Sequence, residues 1–136
     1  MVGCLAFSPN GKLLATGGRT PLTLWEVATA KRLRSFPANA TDVTCLSWRP
    51  DGKQVAAGYV DDKLRVWDAR TGHLDVELAF HSNAVLSAAF SPSGKVLASG
   101  DADKVIILCE TATWKVQRVL KGHEDKVTML AFTGDG

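Results

Sequence analysis

A step of about 42 residues governs this chain. "FSPNGK" begins at Phe7, "WRPDGK" at Trp48, "FSPSGK" at Phe90 and "FTGDG" at Phe132, which are offsets of 41, 42 and 42 residues. Val2, Val43, Val85 and Val127 keep the same step, and so do Trp25, Trp67 and Cys109. A fixed period of this length means stacked copies of one supersecondary unit, each relying on its neighbours to cover its apolar face.

The second copy is the clearest to parse. "VTCLSW" (43–48) is strand-like, and "RPDG" follows as a turn in which proline presets φ and glycine takes the left-handed position that closes a hairpin. "KQVAAG" (53–58), the polar turn "YVDD", "KLRVWD" (63–68), the turn "ARTG" and "HLDVELAF" (73–80) complete four strands. Four short strands per copy at this period is the pattern of a propeller blade. Helical copies would need longer runs at i, i+3, i+4 than any present.

At these residues the chain resembles the WD40-repeat β-propellers, over essentially its whole length. Trp67-Asp68 matches the signature dipeptide and Trp25-Glu26 is a near form. Gly122-His123 matches the Gly-His element, and the recurring "SPxGK" turns and the spacing from Asp61 to Trp67 agree with it. The resemblance implies an all-β fold of four-stranded antiparallel blades. Three blades are expected, at about 2–36, 43–80 and 85–120, with the first strand of a fourth at about 127–132.

The resemblance also implies a buried hydrogen-bond chain in each blade. A His before the first strand meets a Ser or Thr on the second, an Asp in the next turn holds the His, and a third-strand Trp donates its indole N–H. A completed network of this kind satisfies buried polar groups and stiffens the blade. Carried over position by position, it falls on Thr16 and Trp25 in the first copy, Asp61 and Trp67 in the second, and His81, Ser99 and Asp103 in the third, with His123 opening a fourth set. No copy is complete. Arg19 stands near the Asp position of the first, Asn39 and Ala57 replace His and Ser in the second, and Cys109 replaces the third Trp. Cysteine is smaller and a weak donor, so neighbours are expected to refill its space. A buried apolar role, not a reactive one, is expected for Cys109.

Candidates for chemistry are weak. His73, His81 and His123 have no metal-ligand spacing, and Cys4, Cys45 and Cys109 have no CxxC spacing. "GK" at 11–12, 52–53 and 94–95 lacks the glycine and hydroxyl positions of a phosphate loop. "DAD" (101–103) and "DD" (61–62) fall in one recurring turn, where a structural role is expected. The first strands "VGCLAF", "VTCLSW", "VLSAAF" and "VTMLAF" carry no acid, base or Arg, which counts against a catalytic central channel. No catalytic residue, metal or cofactor is therefore expected.

Net charge is +2, too small to argue for nucleic acid or an anionic membrane, and the apolar runs are strand-sized. Three cysteines without a disulfide pattern and no secretory signal suggest the cytoplasm, with the nucleus left open. Three blades do not close a ring, since propellers have four to eight. The chain is thus expected to be a piece of a longer WD40-repeat protein, or to close by self-association if it ends at Gly136. The resemblance implies a non-catalytic scaffold that binds other proteins. Partners are expected on the rim carrying the loops before each first strand and the second-to-third turns, at Thr41, Asp42, Val60, Asn83, Ala84, Ala102, Asp125 and Lys126. The alternative is a regulatory propeller fused to a catalytic domain outside this sequence.

Overall fold

The computed structural model describes residues 1–37 and 41–135. Among the described residues, twelve strands form three four-stranded antiparallel sheets. The first sheet holds β1 (Val2–Phe7), β2 (Leu13–Gly18), β3 (Thr23–Glu26) and β4 (Lys31–Ser35). The second holds β5 (Val43–Trp48), β6 (Gln54–Tyr59), β7 (Leu64–Asp68) and β8 (Leu74–Leu78). The third holds β9 (Val85–Phe90), β10 (Val96–Asp101), β11 (Ile106–Glu110) and β12 (Lys115–Leu120). Each sheet is a simple meander, so its strands lie side by side in chain order. The described residues contain no helix long and apolar enough to cross a membrane.

The "SPxG" and "RPDG" segments make the first turn of each sheet as their residues require. Gly11, Gly52 and Gly94 have φ of 71, 72 and 71°. Their N–H groups donate to the carbonyls of Ser8, Arg49 and Ser91 at 2.8, 2.9 and 2.8 Å. Only glycine reaches that left-handed region without a Cβ penalty.

The core lies between sheets rather than on one face of each. Val55, Ala57 and Tyr59 of β6 pack toward the first sheet with Leu22, Leu24, Phe36, Trp48 and Trp67. Ala56, between them in sequence, packs with Leu64, Val66, Val85 and Leu97 toward the third. Alternate side chains of one strand therefore serve two cores, which explains why "VAAGY" reads as a continuous buried run. Burying each larger aliphatic contributes about 1.5–3 kcal/mol.

A glycine column sets the stacking. Gly17, Gly58 and Gly100 lie opposite Cys4, Cys45 and Ser87 on the first strands. A Cβ on Gly17 would stand 2.6 Å from Cγ1 of Val43, and one on Gly58 would stand 2.8 Å from Cγ1 of Val85. A Cβ on Gly100 would collide with Val127 in the same way. Each glycine is thus a hole for the valine that opens the next copy. Val43, Val85 and Val127 are 3, 0 and 5% exposed, whereas Val2 is 56% exposed.

Residues 127–132 differ from the sequence expectation. Val127 sits in its glycine hole and its N–H donates to the Asp101 carbonyl at 3.1 Å, but no strand forms there. A strand needs a ladder partner, and among the described residues this segment has none.

Candidate functional site

In an antiparallel meander, the second-to-third turns and the loops leading into the next first strand share one rim. On it the structure places Asp42, Val60, Asn83, Ala84, Ala102, Asp125 and Lys126 together with the half-buried Thr41. Hydrogen bonds tie these loops down. Val60 N–H donates to the Asp42 carbonyl at 3.2 Å, and Ala102 N–H to the Ala84 carbonyl at 3.1 Å. Asn83 Oδ1 accepts the Ala84 N–H at 2.8 Å, and Lys126 N–H donates to Asp125 Oδ1 at 2.7 Å. Asp42 also faces Arg19 at 3.9 Å in an exposed ion pair.

Beneath the rim, the third sheet holds a buried network. His81 Nε2 lies 2.7 Å from Ser99 Oγ, and His81 Nδ1 lies 2.7 Å from Asp101 Oδ2. The carboxylate is therefore that of Asp101, not of Asp103 as the sequence suggested. Ser99 and Asp101 are two apart on β10, so both face the imidazole. Asp101 Oδ1 also accepts the N–H groups of Asp103 and Val105, each at 2.9 Å, which closes the following turn. Asp103 stands in that turn, exposed, and accepts from Ser82 Oγ at 3.2 Å and Asn83 Nδ2 at 3.0 Å. It orders a rim loop instead of the core.

The other two sheets solve the same problem differently. In the first, Trp25 Nε1 donates to Thr16 Oγ1 at 2.9 Å. In the second, Trp67 Nε1 donates to the Tyr59 hydroxyl at 3.2 Å, because Ala57 offers no oxygen. Tyr59 lies opposite Val43 as Asp101 lies opposite Val85, so the two occupy one column of the repeat. Asp61 is drawn off to Arg65, whose Nη1 and Nη2 reach it at 3.2 and 2.7 Å, while Nε reaches Glu77 at 2.8 Å. The Arg65 guanidinium also lies 4.5 Å above the Tyr59 ring. Burial alone would raise the Asp61 carboxyl, but the Arg65 hydrogen bonds and charge hold it below its ordinary value. Hydrogen bonding from Lys63 likewise lowers Glu77, against a smaller opposing effect of burial, with Arg65 adding to it. Tyr59 and Arg65 carry no signal in the sequence, and Asp101 stands out there only as part of the "DAD" turn. Alternation from Ser99 would have pointed to Asp101, while nothing local marks Tyr59 as a partner for an indole.

Cys109 is 1% exposed, and Phe80 and Trp114 pack against the apolar cluster that holds it. Burial pushes its thiol up to about 11, with Glu110 adding to the effect. Cys45 also rises to about 11 through burial, and Cys4 to about 11 through burial and the nearby Cys45. These thiols are poor nucleophiles at neutral pH. His123 is exposed, and Asn39 lies outside the described residues. Among the described residues, no group of three or more His, Cys, Asp or Glu side chains is placed to hold a metal.

Four-stranded meanders stacked face to face, with short loops ordered on one rim, define a propeller-type repeat protein. The WD domain, G-beta repeat description matches residues 1–20, 30–68 and 72–109, and the chain belongs to the WD40 family. It is 42% identical over 69 residues to the pre-rRNA-processing protein IPI3 of Mycosarcoma maydis, covering 48% of this chain and 11% of that protein. It is 33% identical over 78 residues to the small ribosomal subunit protein RACK1z of Oryza sativa subsp. japonica, covering 57% of this chain and 23% of that protein. The crystal structure of the RRP9 WD40 repeats superposes with a TM-score of 0.89 at 22% identity, covering 94% of this chain and 41% of that one, and shows the shared fold. The chain thus spans less than half the length of these proteins.

Proposed function

We propose that this chain is a non-catalytic protein–protein interaction scaffold, part of a larger WD40-repeat protein, and that it engages its partners through the rim of Asp42, Val60, Asn83, Ala84, Ala102, Asp125 and Lys126. The carrying observation is the order of that rim. Its loops are held by backbone bonds and by the Asp103 contacts to Ser82 and Asn83, so little conformational entropy is lost when a partner binds. The inner strands supply no acid, base or Arg to the channel wall, which favours binding over chemistry. The free, unreactive thiols suit a reducing compartment such as the cytoplasm.

The test is quantitative partner capture by the wild type and by a variant carrying Val60→Asp, Asn83→Arg and Asp125→Lys. All three positions are exposed, so the variant is expected to keep its thermal stability and lose a discrete set of partners. An unchanged partner set in the folded variant would rule the rim out.

A further inference from the structure

The turns joining first to second and third to fourth strands gather on the opposite rim. The six turns at 8–12, 27–30, 49–53, 69–72, 91–95 and 111–114 hold Lys12, Arg49, Lys53, Arg70, Lys95 and Asp51, and the strand-end carboxylates Glu26, Asp68 and Glu110 bond into three of them. Asp51 is already matched to Arg49 at 3.5 Å. The rim carries both signs, and its excess of cations gathers between the first and second sheets, where Arg34, Lys53 and Arg70 face the single carboxylate of Asp68.

A groove opens on it between the first and second sheets. Two adjoining depressions, about 400 and 420 Å³, share Gly52 and Arg70. Each is of the size that holds several side chains. Leu13, Leu24 and Leu33 line the larger one, with Leu33 52% exposed on the outermost strand. Arg34, Arg70 and Lys53 stand around the pair. The Arg34 guanidinium is fixed in place, with Nη1 donating to the Thr71 carbonyl at 2.6 Å and Nη2 to the Arg70 carbonyl at 2.9 Å. Asp68 is the one acid in the lining, and its Oδ1 is occupied by the N–H groups of Arg70 and Thr71 at 2.9 and 2.8 Å.

The repeat itself shows that this opening is a local departure. At the boundary between the second and third sheets, Arg49 lies over the turn of the next copy. Its Nε and Cγ are 3.3 and 3.6 Å from where a Gly94 Cβ would stand. At the boundary between the first and second, Ser8 holds the corresponding position, and the nearest atom to a Gly52 Cβ is Pro9 Cδ at 3.9 Å. A short side chain thus leaves open what an arginine covers one copy later.

We infer that this groove is a second docking site, separate from the loop rim, and that it takes an extended peptide segment of a partner protein bearing an apolar side chain flanked by Asp or Glu. The apolar side chain lies on Leu13 and Leu33, with the buried Leu24 beneath them. The flanking carboxylates meet Arg34, Arg70 and Lys53, where paired, partly desolvated charges contribute most to selectivity.

The test is selection of a random short-peptide display library against the full chain. Enriched peptides are expected to combine Leu, Ile, Met or Phe with neighbouring Asp or Glu. Synthesised singly, they are expected to bind a Lys53→Glu, Arg70→Glu variant roughly tenfold more weakly or worse, and Leu33→Ser more weakly too. All three positions are exposed, and circular dichroism checks the fold. The rim variant Val60→Asp, Asn83→Arg, Asp125→Lys is expected to bind these peptides as the wild type does, which keeps this site distinct from the proposed rim. Enrichment of basic or no peptides, equal binding by the Lys53→Glu, Arg70→Glu variant, or displacement by a single-stranded oligonucleotide would each overturn the assignment.

Discussion

At the scale of single residues, the chain spends its buried polar groups on rigidity. Asp101 is 1% exposed and joins an imidazole on one oxygen to two backbone N–H groups on the other. Removing it leaves all three without their partner. Asp101→Ala is therefore expected to cost about 3 kcal/mol, whereas the exposed Asp103→Ala is expected to cost under about 1 kcal/mol. Urea unfolding followed by tryptophan fluorescence measures both, and equal losses would show that the buried network runs through Asp103 after all. The sequence made the first-sheet pair legible, since Thr16 and Trp25 stand where the repeat demands and do meet. It misassigned the third-sheet carboxylate because Asp101 and Asp103 flank the same turn, and only the facing of β10 separates them. The second-sheet solution was not legible, because Tyr59 serves Trp67 through a contact no spacing announces.

At the scale of elements, the decisive feature is the glycine hole that receives a valine from the next copy. Glycine in a strand interior usually weakens it, and replacement by alanine usually stabilises where the backbone permits. At Gly58 the sign is expected to reverse. An added Cβ would meet Cγ1 of Val85 at 2.8 Å and the Cys45 sulfur at 2.5 Å, and both neighbours are packed. Gly58→Ala is thus expected to destabilise by about 1–3 kcal/mol through overpacking. Gly3→Ala is the control, because its nearest neighbour is an ordinary 3.5 Å contact. Equal, near-zero effects in thermal melts would mean the blades slide apart easily and the hole does not set their spacing. The valine column was plain in the sequence, and so were the first strand of each sheet and the turn that follows it. What each valine touches was not, because a period reports recurrence within the chain and the partner lies on a different copy. The segment 127–132 shows the same limit from the other side: its pattern is that of a strand, yet pairing needs a neighbour as well as a pattern.

At the scale of the whole molecule, the first sheet leaves one flank of the stack apolar and open. The outer side of the first sheet exposes Val2, Leu5 and Phe7 at 56, 60 and 58%. Beside them lies an almost wholly apolar depression of about 440 Å³, lined by Val2, Phe7, Leu14, Trp25, Val27 and Ala30 among others. The equivalents of Val2 in the later copies are buried in glycine holes, so the first copy presents a knob with no hole described against it. Apolar surface of this kind favours contact with a further blade or with another molecule. The 136-residue chain on its own is therefore expected to self-associate with rising concentration, and Val2→Ser with Phe7→Ser to reduce that association without unfolding it. Sedimentation velocity over a wide concentration range measures this. Within a longer WD40 chain, the same pair of changes is expected instead to lower the unfolding temperature, because the flank would then be an internal blade boundary. If the isolated chain stays monomeric at every concentration and the substitutions change nothing, this flank is covered neither by a blade nor by a copy. The stacking rule read from Val43, Val85 and Val127 would then stop at the second sheet.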